Sequence, residues 1–195
     1  MTRLWTPLAD ALLRAGVSPD AVTITGTLVV VVTALWAFPT GHLLLGGVLI
    51  AVFTLTDSID GVMARRSGRS GPWGAFLDST LDRFGDGAIF AGLVLWYVGD
   101  GDSHTTAALA LACLVLGSIV PYARARAEGL GMTAAVGIAE RADRLFAVLA
   151  ATILVGAGLP DVVMTVVLAL LTVASAVTVV QRMATVRRQV RDTAA

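Results

Sequence analysis

The chain has 195 residues with charged side chains at 14% of positions and a mean hydropathy of +0.82. Apolar runs of about twenty residues recur, and a soluble domain of this size has too little interior to bury them on all sides. Fourteen acidic residues balance fourteen basic ones, every one of the latter an arginine, so nothing in the charge balance suggests a general nucleic-acid-binding surface. An all-α, polytopic membrane protein is the class that remains.

Residues 1–16 read as an amphipathic helix lying in the membrane interface, with Leu4, Trp5, Leu8, Leu12 and Leu13 on one face and Arg3, Asp10 and Arg14 interrupting the run. No basic leader with a nearby cleavage site precedes the first apolar run, so the start of the chain is expected to be retained. After the punctuation Val17-Ser18-Pro19-Asp20, six spans are predicted over residues 22–38, 43–61, 74–98, 105–122, 145–158 and 162–180. The turn Pro39-Thr40-Gly41-His42 forces the first two into an antiparallel hairpin and puts His42 at the far aqueous edge, with no acidic, His or Cys partner near it in sequence. Arg65, Arg66 and Arg69 share the next connector with Gly68, Gly71 and Pro72, which break the helix. A Gly-rich connector over 129–138 suits a substrate-side loop. The fifth helix is expected to begin near Glu140, with Arg141, Asp143 and Arg144 in its first turns. A basic tail, helical or disordered, occupies 183–195. Cys113 lies in an apolar run and reads as a small packing residue.

The arginines fix an orientation. Arg3 and Arg14, then Arg65, Arg66 and Arg69, then Arg124, Arg126, Arg141 and Arg144, then Arg182, Arg187, Arg188 and Arg191 all fall on one side of such a six-span chain. The opposite loops hold Asp100, Asp102 and Asp161 and no arginine. Both termini and the near-side connectors are therefore expected in the cytoplasm of a multi-pass cell-membrane protein.

The chemistry concentrates between residues 57 and 82. Asp57 and Asp60 are three apart, Asp78 and Asp82 four apart, so each pair shares a helix face. Four carboxylates beside apolar runs repel one another unless cations compensate them, which points to one or two Mg²⁺ ions with open positions for phosphate oxygens. Mn²⁺ takes similar oxygen ligands. A hydroxyl nucleophile near the last carboxylate could lose its proton while attacking phosphorus, which favours phosphoryl or phosphodiester transfer. Gly61, Ala64 and Gly74 would let a diphosphate approach the helix backbones. Asp86 continues the spacing one turn deeper, and a structural role or a charge pair with Arg83 is expected for it. The alternatives are a cation-binding cluster in a small transporter, whose charged pathway should lie nearer the bilayer midplane in interrupted helices, and a catalytically silent membrane partner.

Written as a pattern, Asp57-x2-Asp60-Gly61-x2-Ala64-Arg65-x8-Gly74-x3-Asp78-x3-Asp82 resembles the signature of the CDP-alcohol phosphotransferases at all eight fixed residues. The resemblance covers essentially the whole chain as a single domain, 1–195. It implies an interfacial helix followed by six membrane helices, a homodimer, and Mg²⁺-dependent transfer of a phosphatidyl group from CDP-diacylglycerol to an alcohol with release of CMP. It further implies that Asp57, Asp60 and Asp78 hold one metal, that Asp57, Asp78 and Asp82 hold a second, and that Asp82 is the general base. Gly61, Ala64, Arg65 and Gly74 would contact the nucleotide, together with Pro19, Asp20 and Thr23 near the first span.

The phrases Tyr122-Ala123-Arg124-Ala125-Arg126-Ala127-Glu128 and Ile138-Ala139-Glu140-Arg141-Ala142-Asp143-Arg144-Leu145, with Gln181-Arg182, resemble the actinobacterial phosphatidylinositol phosphate synthases within that family. This implies D-myo-inositol 3-phosphate as acceptor, its phosphate surrounded by Arg124, Arg126, Arg141 and Arg182. A guanidinium fork engages two phosphate oxygens together and suits that role. Two departures stand out: Arg124 replaces the usual lysine, and Arg141-Ala142-Asp143-Arg144 replaces Arg-Pro-Glu-Arg. Phosphatidylglycerophosphate synthesis from glycerol 3-phosphate is accordingly the enzymatic alternative. Arg187, Arg188 and Arg191 read as contacts to anionic lipid.

Overall fold

The computed structural model describes residues 2–56, 58–66 and 71–194, with side chains described at 6–54, 62–66 and 71–193. Among the described residues there are eight helices and no strand: α1 (Thr2–Arg14), α2 (Pro19–Ala37), α3 (Leu43–Thr56), α4 (Ser58–Arg66), α5 (Pro72–Val98), α6 (His104–Glu128), α7 (Arg141–Gly156) and α8 (Val162–Ala194). The starts follow local chemistry. Ser18 accepts from the Ala21 amide at 3.2 Å and Pro19 occupies the first turn of α2, where its missing N–H costs nothing. Ser103 caps α6 in the same way through the Thr106 amide at 3.4 Å.

Helices occupy the stretches read as spans, but residues 58–61, read as the end of the second, belong to α4, and two helices run on beyond the stretches read as spans. α6 continues past residue 122 to Glu128 with Pro121 inside it, and α8 continues to Ala194, so the tail is helical. Among the described residues, three helical stretches are long and apolar enough to cross a membrane: Pro19–Ala37, His104–Glu128 and Val162–Thr193; the apolar Leu43–Thr54 is shorter.

The outside of the bundle is apolar, and several hydroxyls lie inside among the apolar core. Leu28, Val32, Val115, Leu170, Val173 and Val180 face outward, whereas Thr33, Thr106, Thr152, Ser175 and Thr178 are buried. In water that arrangement would leave a large apolar surface exposed, and in hydrocarbon it is the favourable one. Several interior hydroxyls find partners close by, while Ser175 Oγ has none among the described residues. Thr152 donates to the Val148 carbonyl at 2.7 Å, and the Thr106 and Thr165 hydroxyls meet at 2.7 Å between α6 and α8. Cys113 is buried and its Sγ lies 3.4 Å from the Leu168 carbonyl, a packing position. His42 is exposed and stacks on Trp36 with ring centroids 5.7 Å apart.

α2 packs on α5, α5 and α8 on α6, and α3 on α2 and α7. They enclose a core that includes Phe38, Ile50, Phe90, Leu93, Val148 and Leu168. A second cluster joins Ala9 of α1 to Val62 and Met63 of α4, with Leu12, Leu13 and Val22 against it. α2 and α5 approach closely at Gly92, where a Cβ would run into the Ala34 carbonyl and stand 3.1 Å from Phe38 Cδ2. Small residues permit such approaches where dispersion, not water, drives helices together. Gly92→Ala is therefore expected to destabilise the detergent-solubilised protein by about 1–3 kcal/mol, because the obstacle is backbone. Gly26→Ala, where a Cβ meets nothing within 4 Å, should leave the melting temperature at or slightly above that of the parent. Thermal melts of the two variants side by side check both.

Candidate active site

Two tethers gather the motif-bearing helices at the start of α2. On α4, Arg66 forms a two-pronged pair with Asp10 of α1, Nε to Oδ1 at 2.6 Å and Nη2 to Oδ2 at 3.0 Å, while Val62 and Met63 bury beside Ala9 and Val22. On α5, the Trp73 indole donates to Asp20 Oδ2 at 3.0 Å. Of the nucleotide-contact candidates there, Pro19 and Thr23 are buried, with the Thr23 hydroxyl donating to the Pro19 carbonyl at 3.1 Å. These two shape the helix start. Asp20 is half-buried, Ala64 is half-buried and Arg65 is exposed. Asp57 lies outside the described residues, and so do the side chain of Asp60 and the surroundings of Gly61.

Along α5 the four-residue spacing puts Gly74, Asp78, Asp82 and Asp86 in one stripe, each about 6 Å further along the axis than the last. Exposure falls along it. Asp78 is exposed, the Asp82 side chain is 17% exposed and that of Asp86 12%. A Cβ on Gly74 would meet nothing within 4 Å, so neither packing nor backbone conformation demands glycine at this position. What it leaves is open space beside the carboxylates. Among the described residues no three acidic, His or Cys side chains form a metal-binding group, and Asp78 has no ion-pair partner there. Asp78 and Asp82 supply hard oxygen donors one turn apart, the chemistry a divalent cation of the Mg²⁺ type requires.

The arginines divide sharply. Arg141, in the first turn of α7, reaches across to α5: its Nε donates to Asp86 Oδ1 at 3.0 Å and Oδ2 at 3.3 Å, and its Nη2 lies 2.9 Å from Asp82 Oδ1. Arg83 flanks the same two carboxylates, 3.7 Å from Asp82 and 3.6 Å from Asp86. Arg182 is buried and largely committed to backbone, its Nε donating to the Val136 carbonyl at 2.9 Å and its Nη1 to the Val120 carbonyl at 2.5 Å. Its Nη2 stands 4.0 Å from Glu140. Arg124 pairs with Glu128 at 2.9 Å on the exposed end of α6, and Arg126 is exposed nearby. Among the described residues neither Arg124 nor Arg126 pairs with a carboxylate of α5. Of the four candidates for acceptor phosphate, only Arg141 is thus brought to the predicted base.

Arg144 was not singled out from sequence, yet it is the best-buried charge in the site, 2% exposed. Its Nη2 donates to the Gly117 carbonyl at 3.3 Å and its Nη1 to the Ala139 carbonyl at 3.3 Å. The first bond has a local cause. Pro121 has no N–H to give to the carbonyl four residues back, and Arg144 supplies the missing donor. The signal in sequence was that proline inside an apolar helix. The connector 129–140 is fastened to α8 as well. Gln189 exchanges hydrogen bonds with the main chain of Thr133, and Thr178 accepts from the Ile138 and Ala139 amides at 3.1 Å. Gly137, at φ +144°, allows the chain to pass over Thr178. This fixes where Arg141 enters α7.

The arrangement is a carboxylate stripe entering the bundle from one end, an open strip at Gly74, and arginines at its inner limit. It can hold a cation and a diphosphate at the outer end and abstract a proton at the inner one.

Comparison with known proteins gives the same family. The sequence model of the CDP-alcohol phosphatidyltransferase family matches residues 16–180. A phosphatidylinositol phosphate synthase of Cutibacterium acnes is 50% identical over 193 residues, covering 95% of this chain and 93% of that protein. The crystal structure of Mycobacterium tuberculosis phosphatidylinositol phosphate synthase (PgsA1) with CDP-DAG bound superposes with a TM-score of 0.91 at 40% identity, covering 94% of each chain. The same protein in complex with manganese and citrate gives a TM-score of 0.89 at 40% identity, covering 93% of this chain and 88% of that one. With its signature stripe on α5 and a match running from the start of α2 deep into α8, this chain belongs to the CDP-alcohol phosphatidyltransferase family and is an enzyme of that type.

Proposed function

We propose that the protein transfers the phosphatidyl group of CDP-diacylglycerol to D-myo-inositol 3-phosphate, producing phosphatidylinositol phosphate and CMP. The observation that carries the reading is the 2.9 Å contact between Arg141 and Asp82, which joins a phosphate-binding side chain to a proton-accepting one. Relatives of 40–50% identity that are phosphatidylinositol phosphate synthases, one of them holding CDP-DAG, support the choice of donor and acceptor.

In this reading Asp82 takes the proton of the inositol hydroxyl as that oxygen bonds to the lipid-side phosphorus, and the bond to CMP breaks. Arg141 orients the acceptor through its phosphate, and Arg124, Arg126 and Arg182 line its approach. Asp20, Arg65 and the strip at Gly74 hold the CDP moiety, on helix starts shaped by Pro19 and Thr23 and with Gly61 and Ala64 allowing close approach. Asp57, Asp60, Asp78 and Asp82 are the residues to hold divalent metal, two ions with Mg²⁺ as the natural one and Mn²⁺ as a substitute. When bound, such ions offset the charge of the diphosphate and of the departing CMP. The manganese complex of PgsA1 supports a divalent ion in this family.

We further read the chain as one membrane domain, 1–195. α1 lies in the interface, and α2, α3, α5, α6, α7 and α8 form six spans. The arginine-rich ends, both termini and the catalytic stripe face the cytoplasm. Two copies assemble as a homodimer in a bilayer of anionic lipids, and the tail, 183–195, projects beyond it.

Purified protein in CDP-diacylglycerol mixed micelles should release CMP with inositol phosphate and Mg²⁺, and not with free inositol or serine. Preference for glycerol 3-phosphate would replace the acceptor and keep the family. Chelation with EDTA should stop turnover and added Mg²⁺ or Mn²⁺ restore it. Asp82→Asn is expected to lower kcat by at least about 100-fold with an unchanged melt. Gly74→Ala should also melt like the parent, while raising the KM for CDP-diacylglycerol by about tenfold, because its methyl group fills space the ligand needs.

A further inference from the structure

Asp86 lies outside the family signature, and transfer as proposed above gives it no part. It is nevertheless the carboxylate on which three arginines converge: Arg141 at 3.0 Å, Arg83 at 3.6 Å and Arg144 at 3.8 Å. Two of the three are not alike. Arg144 is fixed on both sides by carbonyls of Gly117 and Ala139 and is 2% exposed, whereas Arg141 is 31% exposed and, among the described residues, pairs with Asp82 and Asp86 alone. Asp86 thus has one immobile cation behind it and one whose head group is open to the site.

We propose that Asp86 is a positioning residue that holds Arg141 across Asp82 until an acceptor phosphate draws Arg141 away. Both Asp86 oxygens accept from Nε, so the guanidinium is pinned at its inner edge, and its outer nitrogen Nη2 covers Asp82 Oδ1. While that contact stands, Asp82 Oδ1 is occupied as an acceptor and Arg141 is not available to phosphate. An incoming phosphate monoester competes for Nη2 as a dianion against a single carboxylate, and a bidentate partner outweighs a single contact. Its arrival turns the head group about the Asp86 anchor and uncovers the base in the same event. Water and unphosphorylated alcohols bring no such anion, so the base stays covered against them.

The device has a chemical purpose. If Asp82 served water, the water oxygen would bond to the lipid-side phosphorus, its proton would pass to Asp82 and the bond to CMP would break, giving phosphatidic acid and CMP. The covered base suppresses this hydrolysis when CDP-diacylglycerol is bound and the acceptor is absent. Once Nε loses Asp86, Arg141 keeps only one partly exposed ion pair, an interaction of little strength against water, and the cover loosens.

The inference rests on the proposed transfer to a phosphorylated acceptor, and the test separates the two. Wild type, Asp86→Asn, Arg141→Lys and the double variant are each given CDP-diacylglycerol and Mg²⁺ with and without inositol phosphate, and phosphatidic acid, lipid product and CMP are quantified together. Each single variant should raise the fraction of CMP that leaves as hydrolysis by about tenfold and the KM for inositol phosphate by a similar factor, the size expected for losing one charged hydrogen bond. The double variant should do no more than either single one, because Asp86 acts only through Arg141. Should Asp86→Asn fail to fold, Arg141→Lys breaks the same bridge from its other end while leaving Asp86 with Arg83 and Arg144. Folded variants that lose kcat but keep the wild-type product ratio and KM would overturn the inference, as would a double variant whose effect multiplies those of the singles. A wild-type enzyme that transfers to no phosphorylated acceptor would bring down the proposed function itself, and this inference with it.

Discussion

A buried carboxylate must be compensated, and at Asp86 that requirement ties the structure together. The stripe from Gly74 to Asp86 enters from one end of the bundle, and each step inward raises the cost of leaving charge unpaired. By backbone contact α7 packs chiefly on α3 and α8. Its connection to the stripe on α5 is made by side chains, those of Arg141 and Arg144 reaching Asp82 and Asp86. A long-armed ionic link of this kind leaves room between helices that direct packing would close. It holds the two helices in one relation without a close backbone approach between them.

The bundle supplies the other half of that constraint. Apolar side chains on its outside are at no disadvantage in hydrocarbon, so the outside contributes little to specifying how the helices meet. Specification falls to close backbone approaches such as Gly92 against Ala34, and to interior polar contacts. Arg144 serves two structural needs at once, completing the hydrogen bond that Pro121 removes from Gly117 and backing Asp86. The connector before α7 is secured by Thr178, Arg182 and Gln189 of α8, so a loop of small residues still delivers Arg141 to a defined place.

The sequence made some of this plain and hid the rest for physical reasons. Period-four spacing put Asp78, Asp82 and Asp86 on one face because helical geometry is local. The class of protein was visible because span length is set by the bilayer and not by neighbours. Helix ends were harder. Nothing at Tyr122 compelled α6 to stop, since Pro121 blocks a hydrogen bond that a distant arginine replaces. Arg124, Arg126, Arg141 and Arg182 looked alike as phosphate ligands, because an arginine in sequence carries no information about what its fork already holds. Arg182 turns out to spend two of its nitrogens on carbonyls at 120 and 136, and Arg141 to sit on Asp82, the predicted base. Those contacts join residues 46 to 62 positions apart, and only the arrangement of α5, α6, α7 and α8 decides them.

The pairings also bear on how such a site can bind phosphate. Three of the four arginines read as acceptor ligands already have an acidic neighbour: Glu128 for Arg124, Asp82 and Asp86 for Arg141, and Glu140 for Arg182. A guanidinium near the membrane boundary cannot wait unpaired at low cost, so anions of the protein stand in for the substrate. Acceptor binding is then an exchange of partners, whose net gain is the difference between phosphate and carboxylate and not the full strength of an ion pair. Such an exchange favours modest affinity and high discrimination, because only a ligand that outcompetes a carboxylate gains anything. For an enzyme that must refuse water in favour of a phosphorylated alcohol, that balance lies on the useful side.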